Sequence, residues 1–304
     1  MDTRDRKDRG LLIPLLLGIL LCASLCFLYF NYRNYRDLKD ECREYEKSIY
    51  VQESDIRALD QELSGIRSQI EEYDHFDDSI EEVKKEFFAM AYDLENRVLS
   101  GDSEAKIAYL TFDDGPYLTT THLFLDVLDE YDVKATFFYL LKDERYDGLY
   151  QQIIDSGHTL ANHTASHDLS STGIYRSVEA FLADLDLNRN SIEERFGYRT
   201  VIMRFPGGSP QAREKKGAII EGLRERGYGY VDWDTATGDG RNSGSVDEYI
   251  HGVLDVSADY DVMVVLMHDY SYNTAAALPT IIEGLRDQGF IFLPLFYESV
   301  KVIK

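Results

Sequence analysis

No cysteine follows residue 42 in this chain, whose three cysteines are Cys22, Cys26 and Cys42. The large C-terminal part therefore has no disulfide framework, no thiol nucleophile and no cysteine-ligated zinc site. This cysteine usage is compatible with an exported bacterial protein. Neither Cys22 nor Cys26 follows the small residue that a lipid-modified cysteine prefers, so we do not expect lipidation.

Positive charge is also scarce. The 32 Lys and Arg residues face 55 Asp and Glu residues, which gives a net charge of −23. A nucleic-acid-binding protein needs the opposite sign, so nucleic acid is excluded as a partner. Anionic polymers and anionic membrane surfaces are poor partners on the same ground. Aromatic residues make up 12% of the chain, so it is not a disordered acidic tail and can bury a core.

Charge is absent from the twenty residues Leu11 to Phe30. About 20 apolar residues span a bilayer as a helix. A cleaved signal peptide is the alternative, but its apolar core is roughly 7–15 residues, shorter than this run. We therefore predict an uncleaved transmembrane anchor over residues 11–31. By the positive-inside rule, residues 1–10 are cytoplasmic and the remainder is extracellular, because four basic residues precede the run: Arg4, Arg6, Lys7 and Arg9.

Residues 32–100 are rich in charge, with apolar residues spaced by three and four apart from one missing position at Gln52. A first block comprises Ile49, Ile56, Leu59, Leu63, Ile66, Ile70 and Tyr73, and a second comprises Ile80, Val83, Phe87, Met90 and Leu94. The step of ten from Ile70 to Ile80 interrupts the heptad repeat. The pattern predicts a helical, coiled-coil-like stalk that could form a parallel homodimer, with Cys42 as a cross-link or a free thiol. The alternative is a solvated helix that packs back on the main domain.

Residues 101–304 alternate strand-like and helix-like segments. The predicted strands are Ile107–Phe112, Ala135–Leu140, Val201–Phe205, Tyr228–Asp232, Val262–Met267 and Phe290–Leu295. The predicted helices are Thr120–Glu130, Leu149–Ser156, Val178–Phe196, Lys216–Arg226, Val246–Val256 and Thr280–Gln288. Such alternation predicts an α/β fold with a parallel sheet, and its six or more units favour a (β/α) barrel. In such folds the chemistry lies where strands end, so polar residues there are candidates.

Two polar clusters follow predicted strands and include groups that can bind metal. Asp113 and Asp114 end the first strand, where the alternative is a solvated Asx turn. His163 and His167 are four residues apart, a spacing that would place both imidazoles on one side of a helical turn. Two histidines and a carboxylate leave coordination positions open, as in catalytic sites. His158 is more suited to packing or backbone hydrogen bonding.

Three further clusters lie at later strand ends. Arg204 begins the segment RFPGGS, where an arginine can pair with a carboxylate and the Pro-Gly-Gly turn can direct backbone N–H groups at an oxyanion. Asp239 lies between glycines in a loop. His268 ends a wholly apolar strand, where a histidine is either a satisfied core residue or an acid–base group.

These segments together resemble the polysaccharide deacetylase family, carbohydrate esterase family 4. The resemblance rests on TFDDGP, HTASH, RFPGG, a GD loop and LMH in this order, and it covers roughly residues 105–304. It implies a deformed (β/α) barrel with about seven strands as a catalytic domain over residues 101–304. It also implies hydrolysis of N-acetyl groups on an extracellular glycan such as peptidoglycan.

The resemblance assigns a role to each candidate. It makes Asp114, His163 and His167 the metal ligands, with zinc favoured and cobalt, manganese or iron able to substitute. The metal polarises the acetamide carbonyl and activates water. The resemblance also implies that Asp113 is the general base, that Arg204 orients it, and that the Gly207 N–H donates to the oxyanion. It further implies that Leu266 lines the acetyl pocket, that His268 is the general acid, and that Asp239 tunes the pKa of His268.

Two departures from the family pattern put the substrate in doubt. Gly240 stands where a tryptophan often follows the tuning aspartate, and Gly207 replaces a common aromatic residue. An alternative alignment uses Asp232 and Trp233 as this motif, but it would place the tuning aspartate inside a strand. Alternative functions are an O-deacetylase of another wall polymer and a membrane-anchored coiled-coil scaffold with a non-catalytic glycan-binding domain.

Overall fold

The computed structural model describes residues 85–304 except 242, together with residues 21–47 except 23, 27, 37, 40 and 46. It contains two compact units, Met1–Glu82 and Val83–Lys304. In the first unit the described residues are helical and exposed, and Cys22, Cys26 and Cys42 are free thiols. No helix within these described ranges is long and apolar enough to cross a bilayer. Most of the predicted anchor and the whole first heptad block lie outside them.

The second unit is built on one parallel sheet. Its strands are β1 (Lys106–Asp113), β2 (Thr136–Tyr139), β3 (Thr159–Asn162), β4 (Ile202–Met203), β5 (Gly229–Tyr230), β6 (Thr235–Ala236), β7 (Val262–His268) and β8 (Phe290–Phe292). The path runs β5-β4-β3-β2-β1-β7-β6, with β8 paired to the first residues of β1. Among the described residues β5 and β6 do not pair, so the sheet is a curled, open barrel.

Helices connect these strands. They are α1 (85–99), α2 (Thr121–Glu130), α3 (Asp147–Asp155), α4 (Val178–Phe196), α5 (Lys216–Glu225), α6 (Val246–Leu254) and α7 (Tyr272–Asp287). The predicted strands and helices of this unit are all present, although the last helix begins eight residues before the predicted Thr280. Prediction missed β3 and β6, because their segments, TLAN and TA, are not apolar runs of the kind that marked the other strands.

The two faces of the sheet are visible in the alternation along β1. Ala108, Leu110 and Phe112 point outward and pack against helices, whereas Ile107 and Tyr109 point into the barrel. The inner core is completed by residues from α1 and from the C-terminal segment: Ala91, Val98, Leu293, Leu295, Phe296 and Val302. Each large apolar side chain buried in this way contributes about 1.5–3 kcal/mol. Since these residues pack beside the first half of β1, the carboxyl ends of the strands are left for the site.

Helix α1 differs from the predicted stalk. Ala91, Glu95 and Val98 are buried against the barrel, so these residues belong to the same compact unit as the sheet. The alternative of a helix that packs back on the main domain therefore describes residues 85–99. Phe87 and Met90, two positions of the predicted second heptad block, remain exposed. The heptad spacing that predicted the stalk does not register a buried face that is one residue out of phase.

Candidate active site

The two aspartates at the end of β1 occupy different environments. Asp113 is the last residue of the strand, pairs in register with His268 of β7, and is 3% exposed. Asp114 has left the strand in a left-handed conformation with φ 73°. This reversal turns Asp114 towards the histidines while Asp113 stays on the inner face of the sheet. One strand end thus supplies two carboxylates to two separate sets of partners.

Arg204 is fully buried behind Asp113. Its Nη1 donates to Asp113 Oδ1 at 2.8 Å and to Thr111 Oγ1 at 2.8 Å. Its other nitrogens donate to the carbonyl oxygens of Val231 and Asp232, and its guanidinium lies 4.1 Å from the centre of the Phe138 ring. Burial raises the pKa of Asp113, and the Arg204 guanidinium opposes that rise. The arginine therefore stabilises the ionised form and fixes one carboxylate oxygen.

Asp114, His163 and His167 present three ligand atoms that lie within 4.8 Å of one another. His163 Nε2 and His167 Nε2 lie 3.6 Å and 3.5 Å from Asp114 Oδ1. That oxygen is buried and accepts no hydrogen bond from the described residues. His163 Nδ1 donates to the carbonyl oxygen of Arg204 at 2.8 Å, which leaves Nε2 as the lone-pair nitrogen. Burial lowers the pKa of His163 to about 3, so the ring is neutral and able to bind a cation.

These residues fit a divalent metal. Two neutral imidazole nitrogens and a carboxylate oxygen that converge on one point are the donor set of a catalytic zinc or related site, with positions left for water and substrate. The unsatisfied buried oxygen of Asp114 is the observation that a bound cation would explain.

The histidines do not lie on a helical turn, as their spacing had suggested. His163 directly follows β3, and the chain then forms a loop in which Thr164 and His167 have positive φ values of 67° and 51°. Helix α4 holds this loop from behind: Asn188 Nδ2 donates to the carbonyl oxygen of Thr164 at 2.7 Å, and Asp184 Oδ1 accepts from the Ala165 N–H at 2.7 Å. The convergence of the two rings is therefore a product of tertiary hydrogen bonds.

His268 and Asp239 form a hydrogen-bonded pair on the opposite side. His268 Nδ1 donates to Asp239 Oδ1 at 2.8 Å, and the His268 N–H donates to Asp239 Oδ2 at 2.9 Å. Thr274 Oγ1 donates to the same Oδ2 at 2.7 Å. Burial alone would lower the pKa of His268, but the Asp239 hydrogen bond and the nearby carboxylates raise it above its ordinary value. His268 Nε2 faces the centre, 3.9 Å from Asp114 Oδ2.

The structure separates Asp239 from the alternative Asp232. Asp232 lies outside the short β5 and accepts hydrogen bonds from the N–H and the hydroxyl of Ser209. Trp233, expected in the same strand, also lies outside it, next to the backbone of Gly208. The geometry therefore pairs Asp239 with His268, whereas Asp232 braces the turn after Arg204.

The remaining predicted residues line the same centre. Gly207 is exposed at φ 73°, and its N–H donates to no protein acceptor among the described residues. Leu266 lies two residues before His268 on β7, so both side chains point to the inner face, and Leu266 is 8% exposed. A Cβ at Gly240 would lie 3.6 Å from His268 Cε1, so the missing side chain leaves open space beside this ring.

Sequence reasoning missed Asp269 and Tyr270, which directly follow His268. Asp269 is fully buried, accepts from Thr121 Oγ1 at 2.5 Å, and has its pKa raised to about 7 by burial. A Cβ at Gly115 would overlap its carboxylate, so Gly115 and Asp269 are fitted to each other. The Tyr270 ring lies 5.1 Å from the His268 ring, and the Tyr270 hydroxyl donates to the Asp239 carbonyl oxygen. In the sequence, the only signal for Asp269 was its position directly after His268 at the end of a strand, which is a weak indication of a functional residue.

Comparisons with known proteins all indicate polysaccharide deacetylases. The polysaccharide deacetylase family model matches residues 100–230. The chain is 33% identical over 194 residues to the putative polysaccharide deacetylase YheN of Bacillus subtilis, an alignment that covers 62% of this chain and 66% of YheN, just under two thirds. It is 32% identical over 206 residues to a peptidoglycan-N-acetylglucosamine deacetylase of Bacillus cereus, covering 64% of this chain and 71% of that protein.

Solved structures agree. The catalytic domain of a peptidoglycan N-acetylglucosamine deacetylase from Eubacterium rectale superposes with a TM-score of 0.60 at 35% identity, covering 66% of this chain and 93% of that one. A CE4 esterase of Streptococcus mutans gives a TM-score of 0.59 at 29% identity, covering 67% and 90%. The similarity therefore extends over nearly the whole of each of these neighbouring domains.

Proposed function

This chain belongs to the polysaccharide deacetylase family, and from that membership we propose that it hydrolyses N-acetyl groups on a peptidoglycan-type glycan. One observation supports this proposal most directly. Asp113 and His268 are register partners on adjacent strands, and they flank the converging ligand atoms of Asp114, His163 and His167. A base and an acid on either side of one metal position is the arrangement that amide hydrolysis requires.

In the proposed reaction Asp113 accepts a proton from the attacking water. Arg204 holds Oδ1 of this carboxylate, so Oδ2 is the oxygen available to receive that proton. Oδ2 faces the ligand cluster, since it lies 3.6 Å from His163 Nε2. When bound by Asp114 and the two histidines, a divalent metal would supply Lewis-acid activation of the carbonyl and the water.

The remaining steps use Gly207, in the turn after β4, and His268, at the end of β7. The free N–H of Gly207 would donate to the oxyanion that develops on the acetyl carbonyl oxygen. His268, held through Nδ1 by Asp239, presents Nε2 to protonate the leaving nitrogen. The C–N bond then breaks, and the products are acetate and a free amine. Leu266 would contact the acetyl methyl group from the inner face of the sheet.

Zinc is the metal that we propose, because two imidazoles and one carboxylate suit it, with cobalt, manganese or iron as substitutes. We further propose that residues 11–31 anchor the protein in the cell membrane with the second unit outside, where a cell-wall glycan is within reach. Only the uncharged run and the basic residues before it support this part of the proposal. Protease treatment of intact cells tests it, because an extracellular second unit would be degraded.

The decisive test of activity is acetate release. Zinc-loaded protein is incubated with peptidoglycan, with N-acetylglucosamine oligomers and with an O-acetylated glycan, and acetate and free amine are measured separately. The proposal expects both products in equal amounts. Acetate without amine would indicate an O-deacetylase, and glycan binding without acetate from any of these substrates would indicate a non-catalytic binding domain.

A further inference from the structure

A cavity of about 300 Å³ lies beside the active site. It is formed between the segment that follows His167 and the turn that follows Pro206, and residues 169–171, Tyr175 and residues 211–215 line it. Both walls reach Gly207, since a Cβ at that glycine would lie 3.7 Å from Leu169 Cδ1 and 3.7 Å from Gln211 Cγ. A glycan with its acetyl group at the Gly207 N–H would therefore extend next to this cavity.

The uncharged part of the lining suits a sugar. Leu169 is 42% exposed and offers an apolar surface, and the hydroxyl of Tyr175 donates to the Pro206 carbonyl oxygen at 2.9 Å, which holds the aromatic ring in place. Ser170 and Gln211 add groups that can hydrogen-bond to hydroxyls. Apolar and aromatic surface with a few convergent polar groups is the usual composition of a small-molecule site.

Arg213 gives the cavity its charge. Its backbone has φ 48° and ψ −129°, a conformation that L-residues other than glycine rarely adopt and that is retained mainly at functional sites. Within the described residues no acidic group lies within 4.0 Å of its guanidinium, whereas the neighbouring Lys215 is paired with Glu214 at 2.7 Å. Glu214 and Lys215 offset each other, so the lining of the cavity carries one net positive charge in a chain whose net charge is −23.

We propose that this cavity binds the sugar next to the one that is deacetylated, and that Arg213 pairs with a carboxylate on that sugar. The proposal rests on the proposed function and narrows its substrate. In peptidoglycan, N-acetylglucosamine alternates with a sugar whose lactyl group carries a carboxylate once the stem peptide is removed. Chitin has no such group. Arginine binds a carboxylate through two parallel hydrogen bonds, so it can distinguish these glycans.

The consequence is a defined substrate class. The enzyme acts on glycan strands whose lactyl carboxylates are free, and the reaction that supplies this substrate is the hydrolysis of the amide bond to the stem peptide. The overall negative charge of the protein disfavours anionic polymers in general. Arg213, which has no acidic group within 4.0 Å among the described residues, admits one particular anion at one position.

The test compares two strands that differ only in this carboxylate. Peptide-free peptidoglycan strands and the same strands with the lactyl carboxylates converted to amides are given to the metal-loaded full chain and to two variants. Arg213→Gly removes the cation at a backbone conformation that glycine adopts freely, so the fold is retained. Arg224→Ala removes an exposed arginine of α5 that pairs with Glu221, and serves as the control.

For the wild type we expect kcat/KM to be about tenfold higher on the carboxylate strands, the contribution of a charged hydrogen-bonded pair. Arg213→Gly should abolish the difference, and Arg224→Ala should retain it. Calorimetric binding of both strands is measured on the same proteins. If no glycan yields acetate, the proposed function fails, while the binding difference still tests the cavity. Equal binding of both strands by the wild type, or an undiminished preference in Arg213→Gly, overturns the proposal.

Discussion

Arg204 donates to Asp113 at 2.8 Å, with the arginine side chain fully buried and that of the aspartate 5% exposed. Burying two charged groups costs free energy, and the protein tolerates this cost because the guanidinium and the carboxylate neutralise each other through a hydrogen bond. The same arginine carbonyl accepts from His163, so one residue orients both the candidate base and a candidate metal ligand. Stability and catalysis therefore depend on the same contact.

The first prediction concerns that pair. Arg204→Met should lower the free energy of unfolding by about 3–5 kcal/mol, because it leaves the Asp113 carboxylate buried without its cation. Urea unfolding followed by circular dichroism measures the change. Arg226→Met is the matched control, since the side chains of Arg226 and Asp186 are 27% and 26% exposed, and ion pairs that water reaches contribute about 0–1 kcal/mol. Equal losses in the two variants would contradict the assignment.

The second prediction separates the two adjacent aspartates. Asp113→Asn should lower kcat by about 10²–10⁴, the usual contribution of a general base, while bound zinc remains. Asp114→Asn should lose the zinc itself, because it removes the only carboxylate ligand. Acetate release and the zinc content of dialysed protein are the two measurements. A variant Asp113→Asn with near-normal kcat would show that another group is the base.

The third prediction compares three histidines. His163→Ala and His167→Ala should abolish zinc binding in a calorimetric titration. His158→Ala should bind zinc normally but lose about 1–3 kcal/mol of stability, because His158 Nδ1 accepts the Ala135 N–H at 3.1 Å in the core. Burial lowers the pKa of His158 to about 4, so its ring is neutral, as a hydrogen-bond acceptor must be. Loss of zinc in His158→Ala would count against the assigned ligand set.

The fourth prediction concerns Asp239. Asp239→Asn should lower kcat by about tenfold or more and leave KM little changed, because it weakens the hydrogen bond that orients His268, whose contribution as an acid is about 10²–10⁴. Thr274→Val removes only one bond to the same carboxylate and is the control for local packing. If both variants lose the same activity, Asp239 has a structural role alone.

The fifth prediction is a pH dependence of stability at Glu95 in α1. Glu95 Oε2 accepts the Val300 N–H at 3.0 Å, and Oε1 is buried without a partner among the described residues. Burial raises the pKa of Glu95 from 4.5 to about 7, although the hydrogen bonds of Val300 and Ser299 oppose this. The folded state then binds more protons than the unfolded state between these values, so this residue makes stability fall as pH rises through the window.

Glu95→Gln should remove that dependence. Its melting temperature should match the wild type near pH 4.5 and exceed it at pH 8, where the wild-type carboxylate is ionised in a buried place. Asp93→Asn, an exposed position on the same helix, should show no such pH-dependent difference. If instead the melting temperature of the wild type rose relative to that of Glu95→Gln as the pH increases, the explanation would be rejected.

Much of the fold could be predicted because its signals are local. Apolar runs that end in polar residues identified β1 and β7, and helix-like segments alternate with such runs, so a parallel sheet could be predicted. β3 and β6 could not be predicted, since TLAN and TA are not apolar runs and become strands only through hydrogen bonds with neighbouring strands. The heptad spacing of the predicted stalk did not reveal the buried face of α1, because that face is defined only by the barrel that it covers.

The sequence by itself determined which chemical groups are present and, through the order of five motifs, the family to which they belong. Only the tertiary structure decided how those groups meet. It paired Asp113 with His268 across two strands far apart in sequence, chose Asp239 over Asp232, and folded the His163–His167 segment as a loop held by α4. It also brought Asp269 against Gly115 and opened the cavity at Arg213. These contacts depend on strand register and long-range hydrogen bonds, which residue spacing does not encode.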